Sequence, residues 1–160
     1  MSDVVIAIDP GVSGAIAWYD TDAHILKNVV DMPIARNGTK NAIDLYRLTA
    51  FLKGWHVATR FVIVEAVHAM PKQGVTSAFN FGVSFGGMLG ILAALGFRVV
   101  RVQPAVWKAA SGIKTGSDKA ASIARASEVF GTSQHWPNAG HHGRAEAALM
   151  AKYGAGHVDL

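Results

Sequence analysis

The chain has 160 residues, 51% of them hydrophobic, with 15 Lys plus Arg against 11 Asp plus Glu, a formal charge of +4 and a pI near 9.6. That is enough apolar material for one globular domain over residues 1–160, and the basic balance leans toward an anionic partner. There is no cysteine, so disulfides and thiolate metal centres are excluded. The start, MSDVVIAIDPG, lacks the basic and apolar regions of a signal peptide, and no apolar run reaches the ~18 residues of a membrane span. The expectation is a cytoplasmic protein that does not enter a membrane.

In chain order, Val4 to Ile8 and Gly14 to Tyr19 are β-branched or apolar runs joined by a Pro-Gly turn, which predicts a hairpin. A third strand is expected over Ile25 to Met32, then a loop over Pro33 to Asn41. Apolar residues from Ile43 to Trp55 recur at helical spacing. Phe61 to Val64 is a continuous apolar run, as in a strand covered on both faces, and ends in Glu65. A long helix is expected over Ser77 to Leu95, closed by Gly96, and a strand over Phe97 to Val102. Pro104 is placed to open a short helix. Ser117 is the expected N-cap of a helix over Asp118 to Phe130, after a loop over Ser111 to Ser117, and Gly131 to Gly140 is a further loop. Arg144 to Tyr153 reads as a last helix ended by Gly154. The order is βββαβαβαα, an α/β fold with a mixed five-stranded sheet flanked by helices.

Two apolar strands end in acids, Asp9 and Glu65, and in such sheets ligand chemistry gathers outside strand ends. Two carboxylates there can share a divalent cation such as Mg²⁺, which prefers hard oxygen ligands. Asp9 alone reads equally as a turn residue before Pro-Gly, and Glu65 as a solvated strand terminus. In HHGRAE, His142 and Glu146 are four apart and share a helix face, with His141 a competitor for the same role. Taken alone, Glu146 reads as an exposed helical acid. His135, His141 and His142 match no usual zinc spacing.

The ordered set AIDPGVSGAIA, FVIVEAVHAMPKQGVTSAFNFGVSFGGMLG, RVQPAVWK and GRAEAALMA resembles the RuvC-type Holliday junction resolvases of the RNase H-like superfamily, in particular their short phage-encoded branch. The resemblance spans nearly the whole chain. It implies an RNase H-like fold and a homodimeric, metal-dependent endodeoxyribonuclease that cuts four-way DNA junctions by symmetric paired nicks. The place of action would be the cytoplasm, that of a bacterial host if the protein is phage-encoded. It further implies two Mg²⁺ per site, with Mn²⁺ as a substitute, held by Asp9, Glu65, Glu146 and His142. His142 stands where many phage relatives carry Asp, and either ligates metal or moves a proton.

By the same resemblance Lys108 and Lys119 lie near the scissile phosphate. His68 takes the place of a base-stacking aromatic, and Met70 is a candidate apolar wedge. Lys72, Lys114, Arg125 and Arg144 are further candidates for DNA contact, Arg144 alternatively supporting the adjacent acids. Trp107 and Trp136 read as structural aromatics.

Gly82, Gly86, Gly87 and Gly90 lie in the long helix beside Phe79, Phe81, Phe85, Met88 and Leu92. Glycine disfavours an exposed helix by ~1 kcal/mol relative to Ala, so close approach to a partner helix or to the chain's own sheet is expected. Competing readings are a nuclease acting on forks and flaps, or a catalytically inactive branched-DNA-binding protein. DPGVSG as the phosphate loop of an actin-like kinase is discounted, because such folds need two domains.

Overall fold

The computed structural model describes residues 3–55, 59–114 and 116–158. Thr115, inside the expected loop over Ser111 to Ser117, lies outside the described residues. In chain order the strands and helices are β1 (Val4–Asp9), β2 (Ala15–Asp20), β3 (Ile25–Asp31), β4 (Ile34–Asn37), β5 (Lys40–Ile43), α1 (Leu45–Lys53), β6 (Thr59–Glu65), α2 (Val75–Ala94), β7 (Val99–Val102), α3 (Pro104–Ala110), α4 (Lys119–Phe130) and α5 (His142–His157). A 3₁₀ turn, Ala139–His141, leads into α5.

The main sheet has the order β3-β2-β1-β6-β7. Strands β1, β2 and β3 pair antiparallel, whereas β6 joins β1, and β7 joins β6, in parallel. This is the mixed five-stranded sheet the sequence predicts. The apolar runs of β1 and β6 have no polar face because both faces are covered. Val5, Ala7, Phe61 and Ile63 pack beneath α4 and α5, and Val4, Ile6, Ile8, Val62 and Val64 pack on the side of α1 and α2.

Several local expectations are corrected. The expected loop over Pro33 to Asn41 contains a hairpin, β4 paired with β5, turning at Gly38 with φ +64°. Glycine enters that conformation without steric penalty. Ile43, counted with the helical pattern, ends β5, and Asp44 caps α1: its side chain accepts a hydrogen bond from the Arg47 N–H. Asp118 rather than Ser117 caps α4, accepting from the Ala121 N–H. Pro104 opens the short helix expected of it, a seven-residue α-helix, so three helices follow β7, one more than the order βββαβαβαα counts.

Gly154 does not end α5, which continues to His157. A Cβ there would lie 3.3 Å from Phe61 Cε2 and Val5 Cγ1 and 3.4 Å from Ile63 Cδ1, so this glycine is a packing contact with β1 and β6. Helix α2 is, among the described residues, long and apolar enough by length and composition to cross a membrane. The expectation from uninterrupted apolar runs overlooked it because glycines punctuate the helix.

Candidate active site

Strand alternation brings the first two acids together. Along β1, Val5 and Ala7 face α5 and Asp9 follows on that face; along β6, Phe61 and Ile63 do the same before Glu65. Ile8 is opposite Val64, so the two carboxylates end neighbouring parallel strands, which run about 4.8 Å apart.

The third acid arrives because α5 sits unusually close to the sheet. Ala145, Ala147, Ala148 and Ala151 are buried beneath it. At its first turn, a Cβ on Gly143 would collide with the Ser13 carbonyl oxygen and lie 3.3 Å from Asp9 Oδ2. The β1–β2 turn is equally tight: Gly14 N–H donates to the Gly11 carbonyl at 3.1 Å, and a Cβ on Gly14 would strike the Asp9 carbonyl. The helix starts at His142, so the four-residue spacing to Glu146 holds.

Asp9, His142, Glu146, Lys108 and Lys119 line one cleft of about 430 Å³, together with Ser117 and Asp118. Glu65 opens on a second cleft of about 360 Å³, shared with His68, Met70 and Gln73. Pro10 and Phe81 line both.

Charge in this region is under-compensated. Burial holds the Asp9 carboxyl well above the usual carboxylate range, and Glu146 and Glu65 push it further up, against the smaller pull of Lys108 and Lys119. Burial also raises Glu65, opposed first by a hydrogen bond from Trp107 Nε1 to Glu65 Oε2 at 2.8 Å. Glu146 Oε1 is held by Lys108 Nζ at 3.1 Å and by the Ser122 hydroxyl at 2.9 Å.

The donor set suits a hard divalent ion: three carboxylates and one imidazole, around an aspartate whose negative charge is opposed by its surroundings. As the side chains stand, no group of three His, Asp or Glu among the described residues is gathered tightly enough to hold an ion. Glu146 is engaged instead by Lys108 of α3 and Ser122 of α4, and Glu65 by Trp107 of α3.

The other predicted residues are dispersed. His141 precedes the helix and does not line the cleft; its charge acts on Asp31. His135 packs against Trp136, so the three histidines form no common site. Arg144 donates to both oxygens of Asp31, at 2.7 and 2.6 Å, and to the His135 carbonyl. Arg125 donates to the Ser111 carbonyl and to Glu128. These two arginines are therefore engaged within the fold. Lys72 and Lys114 are exposed, Lys72 with φ +67°.

Two positioning residues were missed. Trp107, read as a structural aromatic, is buried and also donates to Glu65. Ser122 holds Glu146, and its only sequence signal was its place one turn beyond Lys119 on the same helix face.

No family model matches the chain. Over 97 residues, 58% of its length, it is 34% identical to the chloroplastic Holliday junction resolvase MOC1 of Chlamydomonas reinhardtii. The match spans only 11% of that protein. The structure of Thermus thermophilus RuvC superposes with a TM-score of 0.58 at 17% identity, covering 95% of each chain. T. thermophilus RuvC in complex with a Holliday junction substrate superposes with a TM-score of 0.64 at 18% identity, covering 96% of this chain and 94% of that one. The fold is that of RuvC. This RuvC-like, RNase H-like fold and a resolvase relative agree with the resemblance drawn from the ordered motifs.

Proposed function

We propose that the chain is a structure-selective endodeoxyribonuclease, one nuclease domain over residues 1–160, that resolves four-way DNA junctions by symmetric paired nicks. The observation that carries this reading is the crowding of Asp9, Glu65 and Glu146 from β1, β6 and α5, with Asp9 destabilised as an anion by burial and by the other two. The resolvase relative and the RuvC likeness support the choice of substrate.

In this reading Asp9, Glu65, Glu146 and His142 would hold divalent metal, Mg²⁺ or Mn²⁺, two ions per site. Such ions, when bound, activate an attacking water and stabilise the leaving oxygen of an in-line phosphodiester displacement. Lys108 and Lys119, on the cleft wall, neutralise the phosphate entering it. Trp107 and Ser122 orient Glu65 and Glu146. In the alternative to metal ligation, His142 would take or give a proton at a ring nitrogen in the same cleft. His68 and Met70, exposed beside Glu65 in the second cleft, meet the unpaired bases. The cysteine-free composition suits a cytoplasmic place of action.

The homodimer would form through α2. Val75, Phe79 and Val83 are 87%, 68% and 56% exposed, at helical spacing, and a Cβ on Gly82, Gly86 or Gly90 would meet nothing within 4 Å. Phe79→Asp should convert the dimer to monomer in analytical ultracentrifugation.

A synthetic four-way junction incubated with Mg²⁺ or Mn²⁺ tests the activity. The unaltered chain should nick opposing strands, and Asp9→Asn should bind without cutting. Binding by the unaltered chain without cleavage in either metal would select the inactive binding protein, a reading favoured by Lys108 lying on Glu146. Equal cutting of forks and flaps would broaden the substrate class.

A further inference from the structure

Helix α2 carries two apolar faces. Val75, Phe79 and Val83 form the exposed stripe, whereas Phe81, Phe85, Met88 and Leu92 recur at helical spacing on the face turned to the sheet. Met88 and Leu92 are buried in the core there, and Phe85 packs at its margin. Phe81 is the next member of that face toward the helix N-terminus, and it is half-buried. Among the described residues it joins neither core layer. A large apolar ring on an inward face, with no core to fill, is left bordering the two clefts.

That ring is held in place. It stacks on Phe85, with centroids 6.1 Å apart and planes 8° from parallel, and the Arg101 guanidinium lies over the Phe85 ring at 5.4 Å. Arg101 is opposite Val64, one residue before Glu65, so the stack is anchored to the strand end that carries the second acid. The spaces on its two sides differ in chemistry. The cleft of Asp9, His142, Lys108 and Lys119 suits a phosphate and its cations, and the cleft of Val67, His68, Met70 and Pro104 suits a flatter, more apolar group. Phe81 and Pro10 line both and form their common wall. A nucleotide with its phosphate in the first cleft and its base in the second lays the part between them, the sugar, on that wall. Neither a phenyl ring nor a proline side chain can hydrogen-bond. Deoxyribose presents only C–H at its 2′ carbon, whereas the 2′-hydroxyl of ribose would lose water there and gain no partner.

We propose that Phe81, with Pro10 beside it, selects deoxyribose over ribose at the nucleotide adjoining the scissile phosphate. This rests on the nuclease reading of the two clefts and adds to it a specificity-determining residue that touches the sugar and not the reacting atoms.

The test compares single-turnover cutting of an all-deoxy four-way junction with that of the same junction carrying one ribonucleotide on either side of the mapped cut. The unaltered full chain should cut the ribose-bearing junction roughly tenfold more slowly, the cost of burying a hydroxyl without a partner. Phe81→Ala admits water to the wall and should cut both junctions at one rate, whatever that rate is. Phe81→Leu, still apolar, should keep the preference. Relative affinity for the two junctions in EDTA gives the same comparison for a variant that no longer cuts, and circular dichroism melts should show each variant folded. Equal handling of the two junctions by the unaltered chain, or an undiminished preference in Phe81→Ala, overturns the role of Phe81 while leaving the nuclease reading standing. If the unaltered chain cuts neither junction in Mg²⁺ or Mn²⁺, the nuclease reading falls. A preference in affinity that Phe81→Ala abolishes would then still support the sugar contact.

Discussion

Helices α2 and α5 are both rich in small residues, yet the fold uses them in opposite ways. In α5 the glycines are sites of contact: Gly143 abuts the Ser13 carbonyl and Gly154 abuts Val5, Phe61 and Ile63. Eight residues of α5 are buried, against only Met88 and Leu92 in the longer α2. In α2, Gly87 touches Leu45, but Gly82, Gly86 and Gly90 face open space. Small residues permit close approach, and what approaches is decided by the partner. For α5 the partner is the chain's own sheet, and the approach carries Glu146 and His142 to Asp9. For α2, α1 and the other face of the sheet take only the side of Met88, Leu92 and Gly87, and an apolar stripe of Val75, Phe79 and Val83 is left at the surface.

The largest test of this contrast is Gly143→Ala. A methyl directed at the Ser13 carbonyl must displace the first turn of α5, which should destabilise the fold by about 1–3 kcal/mol in urea unfolding. It should also suppress cleavage, since His142 and Glu146 move with that turn. Wild-type stability and activity would show that α5 is not held by this contact.

Next comes Asp9→Asn, which probes the electrostatic consequence of the close seating. A carboxyl whose pKa is raised on folding binds more protons in the native state, so stability falls as pH rises from the ordinary aspartate range through the raised value. Above that window the neutral amide should therefore melt at higher temperature than the aspartate in metal-free buffer. The advantage should shrink as pH is lowered. Thermal melts across the pH series check both the sign and the trend.

A smaller effect is expected from Gly82→Ala and Gly90→Ala. Each should stabilise α2 by up to about 1 kcal/mol through helix propensity if nothing covers that face. If a second copy packs there, the same methyls should instead weaken the dimer in sedimentation equilibrium, which would sharpen the contrast with α5.

Asp31→Asn should have the smallest effect. Its hydrogen bonds with Arg144 hold the Asp31 carboxyl below the usual range, so the pair adds stability above the ordinary aspartate pKa that disappears as pH falls through the lowered value. The Asp31 side chain is 60% exposed and solvent screens the pair, limiting the loss to under ~1 kcal/mol in denaturant unfolding at neutral pH.

Much of this was legible in the chain itself. Val4 to Asp9 and Phe61 to Glu65 announced buried strands ending in acids, and period-two alternation alone puts Asp9 and Glu65 on one face. The spacing of His142 and Glu146 gave a shared helix face. The hairpin over 34–43 was missed because its strands are short, polar and preceded by Pro33, although Asn37-Gly38 is a turn pair. Gly154 was misread as a stop because a glycine at a helix end and a glycine at a packing contact look alike in sequence.

By itself, then, the sequence determined the period of each element and which residue types could carry charge at strand ends, since these depend on local stereochemistry and burial. Only the tertiary structure decided the partners. Trp107 reaches Glu65 across 42 positions, Ser122 reaches Glu146 across 24, and Arg144 reaches Asp31 across 113. Such pairings follow from how closely α3, α4 and α5 settle on the sheet, and no local pattern encodes that distance.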